Sequence, residues 1–311
     1  MSYQVLLNQI LALFIILFFG YYLSKKKFIT KKRREFLFDL LLDYILPFMI
    51  ISSMLVDIEP GMLENVIYLL VSWAVVYILV ILISAGLVKF LPGSDRHKRT
   101  IRFLIIFSNV GYMGLPVLGA IFPEYGVFYG SIGLIPFNVI IWTFGIYLLQ
   151  QNGNKLELSR LLEIFKHNGT LALGVGFFFL LTGIRLPGAV EQAIELIGDA
   201  TFPLSMIVIG ASLYGMSLQK IVVKNELLGL SILKLLVFPL LIFFILFALP
   251  LQNFLAAIIT LQFSMPVAAN SVIFTSRFSG DELLACEGVF LTTFLALFTI
   301  PLMAAIVTTL I

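Results

Sequence analysis

Apolar residues along the chain fall into ten long blocks separated by short polar punctuation, at about 4–23, 36–56, 63–90, 100–122, 126–150, 167–184, 194–216, 225–249, 253–277 and 283–310. Each block is long enough to cross a hydrocarbon core of roughly 30 Å as a helix, whereas barrel strands alternate over only about 10 residues. The pattern predicts an all-α membrane protein with ten transmembrane helices. The first block follows the uncharged MSYQ and lacks a basic start and a small-residue cleavage site, so it is expected to be a retained span rather than a signal peptide.

Two blocks contain residues that a continuous helix resists. The fourth carries SNVGYMGLP, Ser108–Pro116, and the ninth carries SMPVAANS, Ser264–Ser271. Irregular backbone at membrane depth is tolerated where protein buries it or where it lines a wet cavity, and matched breaks in two halves of a chain point to a transporter's binding site. A lone proline is more simply a kink, as Pro136, Pro239 and Pro301 would be; paired Asn-and-Pro breaks favour a site. The halves also echo one another. Asp43 stands four residues before Pro47 and Asp199 four before Pro203, and the same offset of 156 carries the fourth block onto the ninth. Five crossings is an odd number, so a tandem copy inserts with opposite orientation, as an inverted repeat. The expected organisation is two five-helix repeats, 1–150 and 167–311, joined by a cytoplasmic link at 151–166.

Composition supports the membrane reading. Hydrophobic residues make up 60% of the chain and charged residues 12%, with 30 Phe, more than a soluble core of this length needs to bury. The basic residues then set the topology. KKKFITKKRR holds seven of the 20, the stretch from Lys89 to Arg102 five and the 151–166 link three, while Lys220, Lys224 and Arg277 serve later turns. The alternate loops hold Arg185 alone, and Lys234 lies inside a block. The positive-inside rule therefore places both termini outside the cytoplasm, and the charge reads as topology and not as nucleic-acid binding. The lone Cys286 excludes an internal disulfide and is expected to be inert. His97 and His167 fall in turns without metal spacing, and no phosphate-binding loop or Ser-His-Asp set is present. No metal, cofactor, enzymatic activity or ATP-driven pump is expected.

The breaks suggest chemistry. Helices interrupted near Asn109–Pro116 and Ser264–Asn270 would restart with unpaired N–H groups, an arrangement that favours an anion. A carboxylate would be held by the Asn109 and Asn270 amides and by backbone donors from Gly111–Leu115 and Val267–Ala269. Gly111 and Gly114 would let the backbone unwind and helices approach, and Pro116 and Pro266 would set the geometry. Lys234, eight residues beyond Glu226, would balance charge or attract the substrate, with snorkelling as the plain alternative. Asp43 and Asp199 are candidate proton or ion sites; pairing with nearby bases is the plain explanation for Asp43 and for its neighbour Asp39. These titratable groups, and the lack of an oxygen cage for sodium, favour proton coupling.

NVGYMGLP, SMPVAANSVIF, the KLLVFPLL run of the eighth block and the closing FLALFTIPL resemble the auxin efflux carrier family in its short prokaryotic form, over essentially the whole chain. The resemblance implies two inverted five-span repeats, a fold related to bile-acid sodium symporters and sodium/proton antiporters. It also implies a scaffold of spans 1, 2, 6 and 7, a mobile core of spans 3–5 and 8–10, and broken helices that cross at their prolines. By the same resemblance the function is elevator-type, secondary-active transport of small organic anions, from auxins to dicarboxylates such as malonate. The motif also brings Tyr112 into the substrate-binding set, and a homodimer through the scaffold is compatible with it. The plant carriers' long central loop is missing, which weakens auxin as the substrate. Two competing readings remain. A cation/proton antiporter of this architecture would need acids at the crossing, and neither break contains one. A membrane sensor on a transporter scaffold would need an appended soluble domain, which the 311 residues do not show.

Overall fold

The computed structural model describes residues 3–150, 168–214, 225–249 and 252–310. Among them every regular element is helical: α1 Tyr3–Lys25, α2 Lys31–Met54, α3 Met62–Phe90, α4 Asp95–Ile106, α5 Val110–Ile121, α6 Gly126–Leu149, α7 Asn168–Thr182, α8 Gly188–Ser212, α9 Asn225–Phe247, α10 Asn253–Phe263, α11 Ser271–Arg277 and α12 Glu282–Leu310. Each helix lies on one of the apolar blocks. Six of them (α2, α3, α6, α8, α9 and α12) are long and apolar enough to cross a membrane. The fourth block is divided between α4 and α5, and the ninth between α10 and α11. The expected link at 151–166, His167, Lys220 and Lys224 lie outside the described residues.

Proline explains where helices loosen. Of the four five-residue π-helical turns among the described residues, Leu41–Ile45, Val110–Gly114 and Leu233–Val237 each end two residues before a proline, Pro47, Pro116 and Pro239, whereas Ile141–Gly145 has no proline after it. A proline lacks the N–H that would reach the carbonyl four residues back, and its ring clashes with that carbonyl. Widening the preceding turn to i→i+5 relieves the clash. For Pro47 the carbonyl concerned is that of Asp43, and Asn168 donates to it from Nδ2 at 3.0 Å. The second D-x-x-x-P, at Asp199 and Pro203, coincides with a turn at Ala200 that interrupts α8.

The chain divides into two compact units. The first takes Met1–Ile67, Gly111–Leu134 and Phe165–Met216; the second takes Tyr68–Val110, Ile135–Ile164 and Ser217–Ile311. In the first unit α1 lies along the second half of α8, and both halves of the contact depend on glycine. A Cβ on Gly20 would collide with the carbonyl oxygen of Ile207, and one on Gly210 with that of Leu17. Where lipid is as apolar as the side chains, such close backbone approach is the main source of helix association. α7 packs on α2 with Gly176 against the side chain of Met54, and Gly198 of α8 sits on the backbone of Met49. Tyr125 donates to Glu59 at 2.6 Å, and that bond pushes its phenol up to about 12.

The core of the second unit is aromatic. Trp73 and Tyr77 stack with ring centroids 5.4 Å apart; Trp73 reaches Phe263 at 6.4 Å and Tyr77 reaches Phe107 at 6.5 Å. All four side chains are buried. Phe107 is the first residue of one interruption and Phe263 the last residue before the other, so this core is built around the place where the helices break.

Candidate functional site

Within the second unit the two interruptions cross as antiparallel strands of minimal length. Ser108 faces Val267 in an isolated β-bridge, made by Asn109 N–H donating to Pro266 O at 2.8 Å and Ala268 N–H donating to Phe107 O at 3.0 Å. Each break thus supplies the partners that the other lost. The remaining freed groups are met by side chains. Ser108 Oγ donates to Phe263 O at 2.9 Å, Gln262 Nε2 to Val110 O at 3.3 Å, and Thr292 Oγ1 accepts from Val267 N–H at 3.1 Å. This meets the requirement that buried backbone polar groups be paired.

Two expectations change here. The break in the fourth block lies at Phe107–Asn109, earlier than expected, because the bridge fixes it there; Pro116 stands in the first turn of the α-helical segment that follows. The N–H groups of Val267 and Ala268 are consumed by the crossing and are not left for a ligand. α11 is only seven residues long, too short to develop much of a macrodipole. Side chains therefore carry most of whatever recognition occurs.

Asn109 is buried beside the bridge, and Asn270 ends the second interruption, half-buried, with its Oδ1 buried and making no hydrogen bond. Among the described residues of this unit, Trp73 Nε1, Tyr77 Oη, Thr260 Oγ1, Ser271 Oγ and Thr299 Oγ1 are also buried without a hydrogen bond, as are Nε and Nη2 of Arg99. Lys234 is fully buried; its ammonium donates to Ile105 O at 2.7 Å and sits 4.2 Å from the centroid of Phe263. The Lys234 amine thus caps the carboxyl end of α4 by donating to one of its last carbonyls. Among the described residues no carboxylate forms an ion pair with it.

The other sequence candidates lie in the first unit. Tyr112 packs on Phe38 with centroids 5.3 Å apart. A Cβ on Gly111 would meet Leu134 Cδ2 at an ordinary 3.5 Å, so close approach does not demand glycine there. Gly114 closes the π turn that precedes Pro116. Asp43 and Asp199 are both exposed, and Asn168 holds the Asp43 carboxylate at 3.3 Å.

Sequence reasoning missed Ser108, Gln262 and Thr292 as partners of the broken backbone, and the setting of His97. That ring has Nε2 at 2.8 Å from Glu226 Oε1 and Nδ1 at 3.6 Å from Asp281 Oδ2, which ties the start of α4 to α9 and to the turn before α12. Thr292→Val should leave the Val267 N–H unpaired and cost about 1 to 3 kcal/mol. Thermal unfolding in detergent measures it, and an unchanged midpoint would remove Thr292 from the account.

Apolar helices of this length, two of them interrupted and bridged in a buried crossing, fit a multi-pass membrane protein. Over residues 5–304 the sequence matches the family described as Membrane transport protein, and the chain belongs to that family, the auxin efflux carriers. It is 22% identical over 281 residues, covering 88% of each chain, to proteins named "Uncharacterized transporter YfdV" in Escherichia coli K12, Escherichia coli O157:H7 and Shigella flexneri.

Proposed function

We propose that the protein is a secondary-active carrier of small organic anions, mono- or dicarboxylates of the malonate type, bound at the helix crossing of the second unit. In this reading the ten apolar segments are ten spans in two inverted repeats with both termini extracytoplasmic, and an elevator-type motion of the core alternates access. One observation carries the substrate class: among the described residues, buried groups of this unit that can donate, on Trp73, Tyr77, Thr260 and Ser271, have no hydrogen-bond partner. Trp73 Nε1 can only donate, and the three hydroxyls of Tyr77, Thr260 and Ser271 each hold a proton. With the Lys234 ammonium nearby and no acid in either interruption, the surroundings suit an acceptor of negative charge.

Proton coupling is part of the proposal, with Lys234, Asp43 and Asp199 as its titratable candidates. Uptake of radiolabelled malonate and of an aromatic monocarboxylate into proteoliposomes tests both parts. Saturable uptake driven by an inward proton gradient is expected. Uptake that follows sodium and ignores pH would overturn the coupling, and failure to carry either acid, even in counterflow, would overturn the substrate class.

A further inference from the structure

A second basic feature of the same unit lies apart from the crossing. Lys89 at the end of α3, Lys98, Arg99 and Arg102 on the first turns of α4, and Leu148 at the end of α6 line a cavity of about 390 Å³, with Asp95 as its one carboxylate among the described residues. Among the described residues Asp95 forms no ion pair with any of the four cations. Arg102 is already committed to the protein: Nη2 donates to Ile81 O at 2.9 Å, Nε to Ser84 Oγ at 3.3 Å, and its guanidinium lies 5.3 Å from the Phe144 ring centroid. Arg99 differs. Its Nε and Nη2 are buried and, among the described residues, make no hydrogen bond.

Buried guanidinium donors without an acceptor are costly, and a forked pair of N–H groups fits the two oxygens of a phosphate. Apolar side chains continue from the cavity's walls. Phe90, next to Lys89, is 88% exposed, and Tyr147, which is 55% exposed, lies against Phe144 with centroids 6.5 Å apart. Free phosphate would leave that surface without a role, whereas acyl chains would cover it. We propose that this cavity binds the phosphate headgroup of an anionic phospholipid, with Arg99 as its central ligand and Lys89 and Lys98 at the rim. Clusters of Lys and Arg at the ends of spanning helices attract anionic lipid by about 1 kcal/mol each, which is roughly fivefold in affinity.

Native mass spectrometry of the purified full chain with added phosphatidylglycerol or phosphatidylcholine is the test. The anionic lipid should be retained in preference to the zwitterionic one, and inorganic phosphate at equal concentration should not displace it. Arg99→Gln should lower retention of phosphatidylglycerol by about fivefold. Lys98→Gln, at the rim, should do the same if the Arg99 variant fails to fold. Equal retention of the two lipids, unchanged retention in the variants, or displacement by inorganic phosphate would each overturn the proposal, the last by making this a site for a free anion.

Discussion

Lys234→Met should fold at least as well as the wild type and transport at less than about a tenth of its rate. The stability half of this expectation is a near-cancellation. Losing the ammonium leaves Ile105 O without its donor, at about 1 to 3 kcal/mol, but it also removes a buried charge whose desolvation costs several kcal/mol. The transport half follows from Coulomb's law. At a separation on the order of 8 Å and an effective dielectric near 20, an ammonium attracts a carboxylate by about 2 kcal/mol, which is more than tenfold in affinity. Lys234→Arg separates the roles: retained transport would identify charge balance, and lost transport would leave proton exchange or a misfit of the larger side chain. Wild-type uptake by the Met variant would reduce Lys234 to a cap on α4.

The second large effect is structural and lies in the other unit. Gly210→Val should disrupt the α1–α8 pair and destabilise the protein by about 3 kcal/mol or more, because the added carbon meets the Leu17 carbonyl and no flexible side chain is there to yield. Gly20→Val should act alike through Ile207. Gly174→Ala, on a helix face with open space around it, should be neutral or stabilising by about 1 kcal/mol, as alanine exceeds glycine in helix propensity. Melting curves in detergent would compare the three, and equal midpoints would show that the helices can separate at little cost.

The helices could be read from the sequence because each one's apolar length is a local property, and the breaks could be read because proline and asparagine are local signals as well. What decided the position of the first break was not local. Asn109 N–H reaches Pro266 O, and the sequence between them gives no sign of that pairing. Thr292 was invisible for a related reason: a threonine in an apolar helix ordinarily bonds back to its own turn, as this one also does to Gly288 O at 2.7 Å. Among 23 glycines, motif reading selected Gly111 and Gly114, while the close packing fell to Gly20 and Gly210, which no motif marks. His97 looked like a turn residue because Glu226 and Asp281 approach it only in the folded chain. Lys234 was conspicuous from sequence, since a charge inside an apolar block must find a partner; that its partner is a carbonyl at a helix break was not.

Calorimetric binding of malonate to purified wild type, Asn109→Ala and Asn270→Ala most directly tests whether the crossing is the substrate site. Each substitution should weaken binding by about 1 to 3 kcal/mol while the melting temperature stays near that of the wild type. Unchanged affinity in both variants would contradict the assignment and move the anion away from the crossing.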